Sequence, residues 1–303
     1  MPLVPLAPPV PVPVFSGFDY ATVDSVHRRV YAAHTGSRAL LIVDADTGAV
    51  IGQVRVGPMH GVAFDSQSGH VFTGNGTDDS VSEIDPQTLK VLRSADVPGA
   101  IDAIAYDGAR KRIYADEDDG TRLFVIDATT MKLVTTIPLP GHKPEYLAVD
   151  PQTHEVYQNI DDLGEVAVID PDALRVKRTF PTPGIVHNHP LQYDAQYGEI
   201  ITGGGGVLAA YTRDGKELGR TTIPPVDQCD LDRTTHVMAC AGGGSITVIR
   251  ARPNLGPEVI AQLAVARGMH TLAIDPKTDD VWGVWASPQG DFVQRFGYQP
   301  APK

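Results

Sequence analysis

Seven ionisable residues recur along this chain at nearly constant spacing. They are Asp19, His60, Asp102, Glu145, His189, Asp227 and His270, with gaps of 41, 42, 43, 44, 38 and 43 residues. Each is a residue type that can ligate a metal or move a proton. Asp plus Glu number 37 and His 10 among 303 residues, so an arbitrary column of seven would hold about one such residue. Imidazole is a poor turn-former, which separates His60, His189 and His270 from the turn-capping aspartates of the same chain. Three neutral imidazoles and one carboxylate, His60, His189, His270 and Glu145, form a donor set suited to Zn²⁺, Mn²⁺, Fe²⁺, Ni²⁺ or Cu²⁺. Asp19, Asp102 and Asp227 remain to fix imidazole tautomers, with Asp102 and Asp227 the candidate catalytic bases. A divalent cation would relieve both the repulsion and the desolvation of so many acids in one place.

The elements that must position these residues follow the same spacing. Five residues after each member, an apolar run closes on an aspartate: Asp24, Asp65, Asp107, Asp150, Asp194, Asp232 and Asp275. The second unit shows the pattern: HGVAFD, turn SQSG, HVFTG, loop NGTDD, SVSEID, turn PQT, LKVLRSADV. Short runs alternating with period two read as strands, here four antiparallel strands per unit, A to D. The closing aspartates precede Pro or Gly or sit in similar turns, where a carboxylate accepts from amides two residues on. No helix is predicted.

Seven four-stranded units specify an all-β, seven-bladed β-propeller, read as one domain over residues 1–303. The seventh unit has only three strands of its own. The N-terminal segment, about residues 8–15, is expected to supply the missing outer strand and close the ring. Prolines are tolerated there because an outermost strand need not donate along its free edge. Strand A of each blade lines the central channel, so the ionisable column forms one ring at the channel mouth.

The chain resembles the YVTN-repeat, YncE-like seven-bladed propellers. The likeness rests on blade phrases such as RRVYAAHTGSRALLIVDADTG and KRIYADEDDGTRLFVIDATT, and on turns such as Val43-Asp44-Ala45-Asp46-Thr47-Gly48. The family tripeptide is degraded here to VYAAH, VFTGN and IYADE. The resemblance implies the fold and a periplasmic or secreted address. It implies no reaction, since one propeller scaffold serves many functions.

Other chemistry-bearing residues are secondary. His34, Asn75 and Glu117 end strand B on the mouth face and are expected at a pocket rim. His142 and His187 fall in loops leading to strand A, near the mouth. His27, His70, His154 and His236 fall at A–B turns on the opposite face and are expected at the surface. The glycine runs 203–206 and 242–244 lack a strand–helix context and are not phosphate cradles. No Ser-His-Asp order, nucleophile elbow or CxxC occurs. Cys229 and Cys240 lie on strands A and B of blade six, about equally far from their hairpin centre. They form a disulfide if the register pairs them, and two buried thiols otherwise.

A net charge of −12 with no Lys/Arg run excludes a grip on nucleic-acid phosphates and docking on an anionic membrane. No apolar stretch is long enough to span a bilayer as a helix. The apolar start MPLVPLAPPVPVPVFSG has no basic region and is broken by prolines, so it does not read as a signal peptide. Two functions are expected from the ring. One is a metal-dependent lyase or hydrolase acting on a small molecule or saccharide; the other is a non-catalytic propeller, its ring a polar plug, recognising a peptide, glycan or protein. A monomer is expected in either case.

Overall fold

The computed structural model describes residues 2–13 and 16–299. Seven antiparallel sheets are arranged as blades; six run from strand A to strand D in chain order, and the seventh takes its outer strand from the N-terminus. The A strands are Ala21–Asp24, Met59–Phe64, Ile101–Asp107, Pro144–Val149, Leu191–Asp194, Gln228–Asp232 and Met269–Asp275. They contact one another around the ring, the last returning to the first. Among the described residues the only helical pieces are three-residue 3₁₀ turns, at Thr35–Ser37, Gly76–Asp78 and Asp161–Leu163.

The B and C strands are almost wholly buried, as in RVYAAH (Arg29–His34) followed by ALLIVD (Ala39–Asp44). Both faces of these strands meet a neighbouring blade, which is why they read as continuous apolar runs. A large side chain near the start of strand B plugs each of several blade interfaces: Tyr31, Tyr114, Tyr157 and Trp282 are buried there. Each such side chain contributes about 2–3 kcal/mol. The D strands carry the exposed edge, and Lys90–Asp96 is exposed at nearly every residue.

The ring closes as expected, with one piece of the closing strand inside the expected segment and a second piece lying earlier. Leu3–Pro5 pairs with Phe296, Gly297 and Tyr298, and Val10–Val12 pairs with Asp291, Phe292 and Val293. Both pieces run antiparallel to Gly290–Tyr298, strand C of blade seven. Pro8 and Pro9 cannot donate to a ladder, which accounts for the gap between the pieces. Leu3 and Val12 are buried against the blade. Residues 14 and 15, the end of the expected strand, fall outside the described residues.

Candidate functional site: the channel mouth

Members of the ionisable column sit at or just before the start of strand A. In four blades a register shift in the A–B ladder falls beside the ring residue: between Met59 and Val62, Ile101 and Ile104, Glu145 and Leu147, and Met269 and Thr271. Such a bulge turns a side chain away from the alternation of the strand. Here the turned side chains are His60, Asp102, Glu145 and His270. Tyr146, next to Glu145, takes a positive φ of 57° at its bulge.

Side-chain contacts split the ring into two arcs. Blades one to three contribute Asp19, His60 and Asp102. His60 Nδ1 lies 2.6 Å from Asp19 Oδ2 and 3.8 Å from Asp102 Oδ1. Gln228 Nε2 donates to Asp19 Oδ1 at 2.9 Å, and Tyr20 Oη donates to Asp102 Oδ2 at 3.3 Å. Among the described residues, these three are the one group of metal-ligand types whose donor atoms all fall within 4.8 Å of one another.

Blades four to seven contribute Glu145, His189, Asp227 and His270. His189 Nδ1 donates to the main-chain oxygen of Asp227 at 2.7 Å. Its Nε2 faces Glu145 Oε2 at 3.2 Å and Asp227 Oδ1 at 3.6 Å. His270 Nδ1 meets Asp227 Oδ2 at 2.6 Å. Of the donor set read from the sequence, Glu145 and His189 are together, His270 joins them through Asp227, and His60 stands in the other arc. All members of the two arcs except His60 line an open cavity of about 490 Å³; His60 lies beside it, held by Asp19.

The protons follow from this geometry. A carbonyl oxygen only accepts, so His189 Nδ1 carries hydrogen, and Nε2 must also carry one to face two carboxylates. Burial opposes the charge, but Glu145 and Asp227 outweigh it and raise the His189 pKa to about 9. The bond to Asp19 raises that of His60 against its burial, and the bond to Asp227 does the same for His270. Burial works against ionisation of Asp227, yet the His270 bond and both imidazoles bring its pKa below the ordinary value. Asp102 goes the other way: burial first, then the charges of Asp116, Asp19 and Glu145, hold its carboxyl well above the carboxylate range.

Sequence reasoning missed Asp116 and Asp118. Asp116, on strand B of blade three, is fully buried and accepts from Ala103 N at 2.6 Å and Gln158 Nε2 at 2.8 Å. Burial raises its pKa well above the usual range in spite of those bonds. The available signal was an acid where blades one and two carry Ala33 and Gly74. Asp118 lines the mouth itself. Tyr20 and Tyr146 pack with ring centroids 5.3 Å apart, and both rings lie against that of His189.

The weaker candidates lie elsewhere. His34, expected at a rim, is fully enclosed: it stacks on Phe18, meets Asp291 through Nε2 and accepts from Gln53 Nε2 through Nδ1. Asn75 is buried as well. Glu117 is held by Arg122 and the amide of Thr121. His142 is exposed, and His187 reaches Asp161 at 3.3 Å; neither lines the cavity. His236, expected at the surface, is buried at 8% exposure, bonded to Asp194 and stacked on Tyr197. Cys229 and Cys240 are directly paired in register and form a disulfide.

Fold and site together define a seven-bladed β-propeller whose channel mouth is lined by acids and histidines. The chain is similar to a chain of hydrazine synthase from Kuenenia stuttgartiensis, with a TM-score of 0.82 and 15% identity over 94% of this chain and 96% of that one. It is similar to U3-55K, with a TM-score of 0.83 and 9% identity over 97% of this chain and all of that one. At these identities the likeness is one of fold. No family model and no curated protein matches the chain.

Proposed function

We propose that the channel mouth is a divalent-metal site seated on Asp19, His60 and Asp102, used in lyase or hydrolase chemistry on a small molecule or saccharide. The observation that carries this reading is the convergence of three donor groups from three blades, within 4.8 Å, two of which, Asp19 and Asp102, line the open mouth. An imidazole with two carboxylates suits Zn²⁺, Mn²⁺ or Fe²⁺, with Ni²⁺ and Cu²⁺ also compatible. When bound, the ion would supply Lewis acidity toward a carboxylate or carbonyl oxygen of the ligand. Across the axis, His189 holds a proton on Nε2 for delivery, and Asp227 offers a carboxylate as base. Glu145 and His270 complete that arc and are available to the ion or its ligand.

A second reading is favoured by a specific observation. His60, His189 and His270 each already face a carboxylate. In that case the ring is a self-satisfied polar plug and the top face recognises a peptide, glycan or protein. The disulfide supports an extracytoplasmic address for either reading, because such bonds persist in oxidising compartments. The YVTN-type blade phrases support the same address.

Metal content decides between them. Wild type, stripped and then reconstituted with Zn²⁺ or Mn²⁺, should retain close to one equivalent and gain thermal stability. The pair His60→Ala with Asp102→Asn should retain far less and gain nothing. A wild-type protein that takes up no metal and shows no thermal response leaves only the plug.

A further inference from the structure

The face opposite the mouth shows a regularity with one exception. Each strand-A aspartate is buried at an A–B turn, and six of the seven lie beside a basic side chain. Five of those come from the following blade: Lys111 to Asp65 at 3.4 Å, His154 to Asp107 at 2.9 Å, Arg213 to Asp150 at 3.1 Å, His236 to Asp194 at 2.6 Å and Arg28 to Asp275 at 2.7 Å. Asp24 is met by His27 of its own turn at 2.8 Å. Four of the cross-blade partners occupy one repeat position, the left-handed residue before strand B; Arg28, Lys111, His154 and His236 all have φ between 52° and 63°. Where that position is Gly69, a Cβ would lie 3.1 Å from the ring of His27, so the glycine makes room for the substitute base.

Asp232 is the exception. Among the described residues no basic group lies within ion-pair distance of it; its carboxylate oxygens accept from Thr234 N and Thr235 Oγ1 of its own turn and face the Asp279 carboxyl at hydrogen-bonding range. The equivalent left-handed residue of the next blade is Asp279, φ 59°, an acid in the place of the base. Partial burial and then the charge of Asp232 raise the Asp279 pKa. Asp280 beside it is already neutralised by Arg295, and Arg250 turns to Glu258. The space that a base fills between the other blades is here an open groove of about 460 Å³, walled by Leu6, Val237, Ile260, Ile274 and Tyr298, with Arg250 also at its wall but paired to Glu258.

We propose that the groove between blades six and seven binds a partner peptide that inserts one lysine or arginine, flanked by apolar side chains, between Asp232 and Asp279. Charge complementarity selects the occupant. An apolar wall takes the methylene stem, and two facing carboxyl groups that no base neutralises take the ammonium or guanidinium at one end. The chain itself supplies the precedent, since Lys111 and Arg28 make the equivalent contact to Asp65 and Asp275. The volume is that of an ordinary ligand pocket. This inference is independent of any metal at the mouth.

The test uses the full chain and a fluorescein-labelled peptide, acetyl-Val-Leu-Lys-Val-Leu, read by fluorescence polarisation. Its control is the same peptide with the lysine acetylated. Wild type should bind the free-lysine peptide about tenfold or more tighter than the control, with affinity falling as salt rises. Asp279→Lys should fill the gap from within, abolishing peptide binding while raising the melting temperature. Asp279→Asn, which keeps the side-chain shape, should weaken binding about tenfold, and the distant exposed Asp214→Asn should leave it unchanged. Equal binding of the two peptides, no binding at 1 mM, or undiminished binding by both Asp279 variants would overturn the proposal.

Discussion

The proton on His189 makes a quantitative prediction. With chelator present, stability should fall as pH rises through the slightly alkaline range, and His189→Gln should remove the part due to this residue. Glutamine keeps a donor for the Asp227 carbonyl but cannot take the second proton. The folded pKa of about 9 lies above the ordinary value of 6.5, so the folded state binds the proton more tightly. The contribution is therefore fully present below pH 6.5 and is lost as pH climbs to 9. The shift corresponds to about 3 kcal/mol at 1.36 kcal/mol per unit. With an unfolding entropy of about 640 cal/mol/K for a chain of this length, that is about 5 °C in melting temperature. Differential scanning calorimetry at half-unit steps from pH 6 to 10 should show the variant about 5 °C less stable than wild type at pH 6.5, the gap closing by pH 9.5. His60 titrates in the same direction in both proteins, while loss of the His189 charge lets the His270 pKa rise further in the variant. A gap that stays constant with pH would refute the doubly bonded imidazolium.

Three further outcomes are expected. Deleting residues 2–12 removes buried Leu3 and Val12 and the cover of strand C in blade seven, which should cost about 3–6 kcal/mol and lower the melting temperature by about 5–9 °C; an unchanged calorimetric transition would contradict closure by this segment. Denatured, non-reduced protein should contain no free thiols, and Cys229→Ala with Cys240→Ala should lose about 2–3 kcal/mol in denaturant titration. Tyr20→Phe leaves the Asp102 carboxyl without its phenolic donor and should cost about 1 kcal/mol, measured by the same titration.

The architecture was legible because the repeat imposes it seven times over. An aspartate at every A–B turn and a strand on either side make the blades countable, whereas the facing of Cys229 and Cys240 hung on a register that only the structure supplies. The ring was legible as a column for the same reason. Its division into two arcs was not. That division depends on bulges at His60, Asp102, Glu145 and His270 and on which oxygen each imidazole meets, and no residue type announces a bulge. His34 was misplaced because its partners, Phe18 and Asp291, come from elsewhere in the chain, Asp291 being 257 residues away. The closing strand was located by its absence from the last unit, but Pro8 and Pro9, which divide it, were read only as tolerated edge residues. Asp116 escaped because attention went to strand A, while its carboxyl reaches the same place from strand B.

The split closing strand also sets an order of events. Residues 3–5 find their partners only in residues 296–298, and residues 10–12 only in residues 291–293. At synthesis rates of roughly 5–20 residues per second, the first strand made waits roughly 15–60 s for its neighbour. During that interval it is an apolar segment with no sheet to join, while blade after blade forms beside it with open outer edges. Its prolines, at positions 2, 5, 8, 9, 11 and 13, withhold the amide hydrogens that a false partner would need. A segment so poor in donors pairs badly with any edge it meets in passing. It holds in the finished ring because Leu3 and Val12 have a fitted place to be buried, and that place does not exist until the last blade is made.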